Sequence, residues 1–241
     1  MAEHEVIKHA KRAFKVSRDP KKHWKEKVGE IVLDIFIIVF AISLSLYLHG
    51  RAEKKGERHL EEEFLQGLKV DLQKDLKELA ADSISYEQVR NGFFYFYRAG
   101  TGRASFVVDS AHFHENTLYR TTDLQANDSR FQGLKASGKL YVVEDKELLN
   151  DILDLYQEKI PHLIMQTNGF SNFKRERLSP YMDTHLIRYP DGTNNMKELI
   201  SAPVFRNYMS RYGYVPSIIE PYQQVMEQCR LIIRKIEKQY E

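Results

Sequence analysis

Cysteine is nearly absent: Cys229 stands alone in 241 residues. An intramolecular disulfide is therefore excluded, and stability has to come from packing. An oxidising compartment stays open, because proteins there can simply avoid cysteine. Catalytic signatures are missing as well. The chain has no G-x-x-x-x-G-K-[ST], no G-x-G-x-x-G, no G-x-S-x-G and no H-E-x-x-H, which removes the common nucleotide-binding, serine-hydrolase and zinc-protease motifs. The run Gly133-Leu-Lys-Ala-Ser-Gly-Lys shares only composition with a phosphate loop, and Gly138 reads better as a helix C-cap. No cofactor is implied, and the expectation is a protein that is not an enzyme.

Strong charge bias is lacking too. The formal net charge is +2, but it is unevenly spread. Residues 1–30 hold nine Lys/Arg against five Asp/Glu, an excess of four, so the rest of the chain is about two charges negative. A basic end on a nearly neutral body points to a membrane surface. No basic stripe interleaved with aromatics follows, so nucleic acid is not an expected partner.

What is present is one long apolar run. Ile31 to Leu48 reads IVLDIFIIVFAISLSLYL, 18 residues with one charge. At 1.5 Å per residue it covers about 27 Å, close to the hydrocarbon thickness of a bilayer. Trp24, Lys25 and Lys27 precede it, while Tyr47 and Arg51 close it, as interfacial anchors do. The apolar core is too long and the preceding basic region too extended for a cleaved signal peptide, so a retained signal anchor is expected. Lys21, Lys22, Lys25 and Lys27 before the run, with five more basic residues upstream, outweigh Arg51, Lys54, Lys55 and Arg58 after it. That bias places the N-terminus in the cytoplasm and the larger part in the periplasm of a two-membrane cell, as a single-pass protein of the inner membrane. Residues 4–16 fit either a short interfacial helix or a disordered basic tail.

Asp34 is the charge in the run. Glu30, Asp34, Ala41 and Ser45 fall within about 60° of one another at 100° per residue. Small and polar residues on one face suit contact with a second helix. Two roles compete for Asp34: a carboxylate that reaches the interface or bonds within a homo-oligomer, and an ion-coupled carboxylate of a stator-like subunit in a transenvelope machine.

The expected organisation is a basic segment over 1–30, a transmembrane helix over 31–48, an amphipathic stalk helix over 49–98 and a helical domain over 99–241. The fold class is mainly α, a single N-terminal transmembrane helix continuing into a helical-bundle soluble domain. Gly56 is a candidate break. Phe64, Leu65, Leu68, Leu72, Leu76 and Leu79 form an apolar stripe, with Lys69, Asp71, Lys74, Asp75, Lys77 and Glu78 filling the other positions. The run FFYFY at 93–97 cannot face one way on a helix, so Phe93, Phe94 and Phe96 serve either a core or an oligomer interface. Residues 99–128 lack helical periodicity and are expected to be loops or a short strand near Phe106–Val108, within a 99–241 domain that packs with 60–98. Asp145 should cap the next helix. A further helix is expected from Ile164 to about Leu178, and the last from about Ser217, with Cys229 in its buried stripe. His112-Phe-His114-Glu115 is the one metal-like cluster, and a strand would be needed to aim both imidazoles one way. It supports a further alternative, a metal-dependent enzyme or sensor.

The flank Val28-Gly29-Glu30-Ile31-Val32-Leu33, the helix LKVDLQKDLKEL at 68–79 and FQGLKASGKLYVVEDKEL at 131–148 occur in that order. Together they resemble an uncharacterised family of bacterial single-pass envelope membrane proteins, over most of residues 25–160. The resemblance implies one N-terminal transmembrane helix and a helical domain, and transfers no activity. Asp34 departs from the uniformly apolar anchor expected there. The function these readings favour is association, as a homo-oligomer or as an accessory subunit of a larger envelope complex.

Overall fold

The computed structural model describes residues 24–240; the side chains of 24–27, 30 and 31 are outside it, as are residues 1–23 and with them the expected interfacial segment. The described residues are mainly helical and contain no strand. The helices are α1 Trp24–Gly100, α2 Val108–Tyr119, α3 Ser129–Ala136, α4 Lys146–Asp154, α5 Ile160–Phe173, α6 Ser179–His185, α7 Met196–Leu199, α8 Pro203–Met209 and α9 Pro216–Tyr240. Two compact units result, Met1–Glu61 and Glu62–Glu241, with the division inside α1. Gly56 does not break the helix.

In the first unit α1 carries the apolar run. An 18-residue window there has mean hydropathy 2.2 and is only 6% buried. Leu33, Phe36, Val39 and Phe40 are exposed. A helix of this length and composition meets the requirement for crossing a membrane.

In the second unit the buried residues of α1 include Leu65, Leu68, Leu72, Asp75, Leu79, Asp82, Tyr86, Val89, Phe93 and Phe96. Steps of four and three alternate without a break, which is the 3.5-residue period of a helix seam. α9 repeats it with Ile218, Tyr222, Val225, Cys229, Ile232 and Ile236. The two helices run antiparallel, because Lys69 pairs with Glu237 at 3.2 Å while the Tyr222 hydroxyl donates to Asp82 at 3.3 Å. Phe93 and Phe96 are wholly buried within this chain, so the aromatic run serves the core. Phe94 remains half exposed beside Tyr212.

α4, α5 and α6 follow one another through two π-turns, Leu155–Lys159 and Lys174–Leu178. Each turn ends two residues before a proline, Pro161 or Pro180. A proline ring clashes with the carbonyl four residues back, and the wider π-turn relieves that clash. The helix expected to end near Leu178 therefore continues. Asp145 caps α4, accepting from the Glu147 and Leu148 amides at 2.8 and 3.0 Å. Gly138, at φ +70°, ends the α3 segment as its missing Cβ allows.

Asp75 does not lie on the polar face of α1. It belongs to the seam, and the segment between α2 and α3 explains how. This stretch runs antiparallel to α1 and bonds to successive acids. Arg130 Nε donates to Asp71 at 3.1 Å, and Asn127 donates to Asp75 through its backbone N–H at 3.1 Å and its side-chain amide at 2.6 Å. The Gln125 N–H donates to Glu78 at 2.8 Å, and the Thr122 hydroxyl to Asp82. The segment after α2, part of the stretch without helical periodicity, is thus an ordered strap that satisfies itself on carboxylates. Replacing Asp75 by Ala removes the charged acceptor of both Asn127 bonds. The expected loss is about 1–3 kcal/mol, read from denaturant unfolding of the full chain; an unchanged midpoint would refute the role of the strap.

Candidate functional site

α2 begins at Val108, where the sequence had suggested extended structure, and it lies across α1. The Tyr95 hydroxyl fixes its start, donating to the Val107 carbonyl at 2.9 Å and accepting from the Val107 N–H at 3.0 Å. Gly92 sets the close approach at the other end: a Cβ there would lie 2.1 Å from Thr117 Oγ1. Beyond Tyr119 the backbone turns extended at Arg120 and enters the strap.

Lys174 secures the end of α2 from below. It is almost completely buried, and its Nζ donates to the Thr117 and Arg120 carbonyls at 2.6 and 2.5 Å. The faces of Phe93 and Phe170 lie 5.5 and 5.4 Å away. Carbonyls at a helix C-terminus carry partial negative charge and suit a cation. Burial first, and repulsion from Arg120 second, push the ammonium down to about 7. A neutral amine keeps two N–H groups, enough for both carbonyls.

Between α1 and α2 lies a cavity of about 500 Å³. Ser85, Gln88 and Asn91 line it from α1, and His114, Thr117 and Arg120 from α2 and its exit. Phe113 stands at it, 78% exposed. The Nδ1 of His114 is buried and has no hydrogen-bond partner, and desolvation lowers the pKa of the imidazole. The cavity volume falls within the range of small-molecule sites.

His112 and His114 are not brought together. Two residues along a helix are about 200° apart, so the strand that a shared metal needs is replaced by a geometry that separates them. His112 faces Glu115 at 3.9 Å, Glu115 pairs with Arg188 at 2.6 Å, and His114 lies against Tyr95. Among the described residues no group of three or more His, Cys, Asp or Glu could hold a metal. Cys229 is buried and its thiol is pushed up to about 12 by desolvation, so it is a core residue and not a nucleophile.

In the first unit, Asp34 is only 7% exposed while its neighbours Leu33 and Ile35 are open, and it is not without an interaction partner. On the same helical face Ala41 is half-buried and Ser45 exposed. The Glu30, Trp24, Lys25 and Lys27 side chains lie outside the described residues. Tyr47 is exposed, with the Arg51 guanidinium 5.4 Å from its ring centre, the pairing of aromatic and cation found at interfaces.

Sequence patterns pointed to neither Lys174 nor the cavity. A signal for Lys174 does exist. Leu163, Thr167, Phe170, Lys174 and Leu178 recur at helical spacing, so a lysine occupies an apolar stripe. Arg120, Asn91 and Ser85 carry no such signal, because only the crossing of α2 over α1 brings them together. Comparison with family models, curated proteins and solved structures found no match.

The Lys174 pair of states has a measurable consequence. Its folded pKa of about 7 lies below the ordinary 10.5. Between those values the folded chain binds fewer protons than the unfolded chain, so this group makes stability rise with pH across that window and adds no slope below it. Lys174→Met removes that slope. The melting-temperature gap between wild type and Lys174→Met should widen from about pH 7 toward pH 10; a gap constant with pH would contradict the burial argument.

Proposed function

We propose that this chain is a single-pass membrane protein that works by association, as a homo-oligomer or as an accessory subunit of a bacterial envelope complex. The observation that carries the membrane part is the apolar stretch of α1, with mean hydropathy 2.2 and only 6% buried. The core helix of a soluble protein would cover such a surface. The association part draws support from how the buried charges of the second unit are spent. Asp75 and Asp82 hold the strap, and Lys174 holds α2. Each acts as a structural anchor, and none is left facing a reacting group. In this reading the N-terminus is cytoplasmic and the Glu62–Glu241 unit periplasmic, an orientation that rests on the Lys/Arg bias.

The full chain should stay with membranes after alkaline carbonate extraction. Val39→Arg with Phe40→Arg should release it, since each charge near the middle of a span costs about 2.5–3.5 kcal/mol. Carbonate release of the wild type would end the membrane reading. Protease added to spheroplasts should digest the 62–241 unit, and protection would reverse the orientation. Particle mass after mild detergent extraction tests association: a lone protomer with no co-purifying chain refutes it.

Asp34 supports a second reading, because among the described residues it is the one acid buried within an otherwise open apolar surface. A carboxylate held there suits ion coupling in a stator-like subunit as well as a helix–helix bond. Asp34→Asn distinguishes the two. Loss of the activity of the intact complex with assembly retained favours coupling, and loss of assembly favours the bond.

A further inference from the structure

The cavity between α1 and α2 has an uneven chemistry. None of its thirteen lining residues is Asp or Glu, in a chain with 34 acids among 241 residues. The walls offer hydroxyls, side-chain amides, two imidazoles and one guanidinium. Arg120 has no carboxylate partner among the described residues, although acids are abundant along the adjoining strap. Those acids are engaged elsewhere: Asp82 with Thr122 and Tyr222, Asp123 with Ser171 at 3.2 Å, and Glu115 with Arg188.

The Arg120 guanidinium also repels the Lys174 ammonium beneath it. A guanidinium with no carboxylate of its own makes a site that gains when an anion binds. A guanidinium presents a planar fork that matches a carboxylate through two parallel hydrogen bonds. Apolar surface completes the site, with Val89 at its buried side and the exposed ring of Phe113 at the other. The volume of about 500 Å³ is enough for a ligand the size of a single substituted ring.

We propose that this cavity binds a small carboxylate with an apolar body, the carboxylate on the Arg120 guanidinium and the body between Val89 and Phe113. Gln88 and Asn91 supply amide donors and acceptors along the side. The site is independent of whether the chain oligomerises.

Titration calorimetry on the full chain in detergent micelles tests this with benzoate, its neutral counterpart benzamide, and inorganic phosphate. Benzoate should bind, and both benzamide and phosphate should bind at least about tenfold more weakly. Arg120→Gln should weaken benzoate by about tenfold or more with the fold retained, since its side chain is exposed. Ser85→Trp, placed to fill the cavity, should block benzoate. No benzoate binding, equal binding of benzamide or phosphate, or full benzoate affinity in Arg120→Gln overturns the proposal.

Discussion

Asp75 and Asp82 occupy positions in the 3.5-residue seam of α1 where every other member is apolar. A buried carboxylate costs several kcal/mol unless hydrogen bonds replace the water it has lost. Burial raises the pKa of both groups, and the bonds from Asn127 and Thr122 act in the opposite direction. The strap that supplies those bonds has few apolar residues of its own; Leu124 is its one buried hydrophobic residue. Neither partner is satisfied alone. Carboxylates and strap stabilise each other, and this mutual need aligns the chain between α2 and α3 along α1.

A cation plays the matching part at the C-terminal end of α2, where the strap begins. Lys174 follows α5 on its apolar stripe, at the start of a π-turn, and reaches the last carbonyls of α2. With the strap bonded on one side and Lys174 on the other, α2 is held across α1 at Gly92, the position without a Cβ. The cavity is a by-product of that crossing, because a helix resting on one close-contact point leaves space beside it. Its lining is free of acids for the same reason: the local carboxylates are committed to the strap, to Ser171 and to Arg188.

The two units of the chain treat apolar surface in opposite ways. In Glu62–Glu241 the large apolar side chains are collected into seams, and the aromatic residues Tyr86, Phe93, Phe170 and Tyr222 meet one another at 5.6–6.2 Å between ring centres. In the preceding unit the apolar side chains of α1 face outward, and the acid among them is the buried residue. Water favours the first arrangement and hydrocarbon the second.

Periodicity and composition determined the elements that depend on local order. The apolar run, the stripes of α1 and α9, the Asp145 cap, the Gly138 stop and the core position of Cys229 follow from spacing and from single-residue preferences. Those effects act over one or two helical turns, so a linear reading captures them. The path of residues 120–130, the burial of Asp75, the helical form of 108–119 and the separation of His112 from His114 were decided by tertiary structure. In each case the deciding partner lies 40 or more residues away or on another element, as Asn127 does for Asp75 and Lys174 for Thr117. A polar residue looks alike in sequence whether it faces water or a distant donor. Only folding supplies the donor, and only then does a charged position become part of a core.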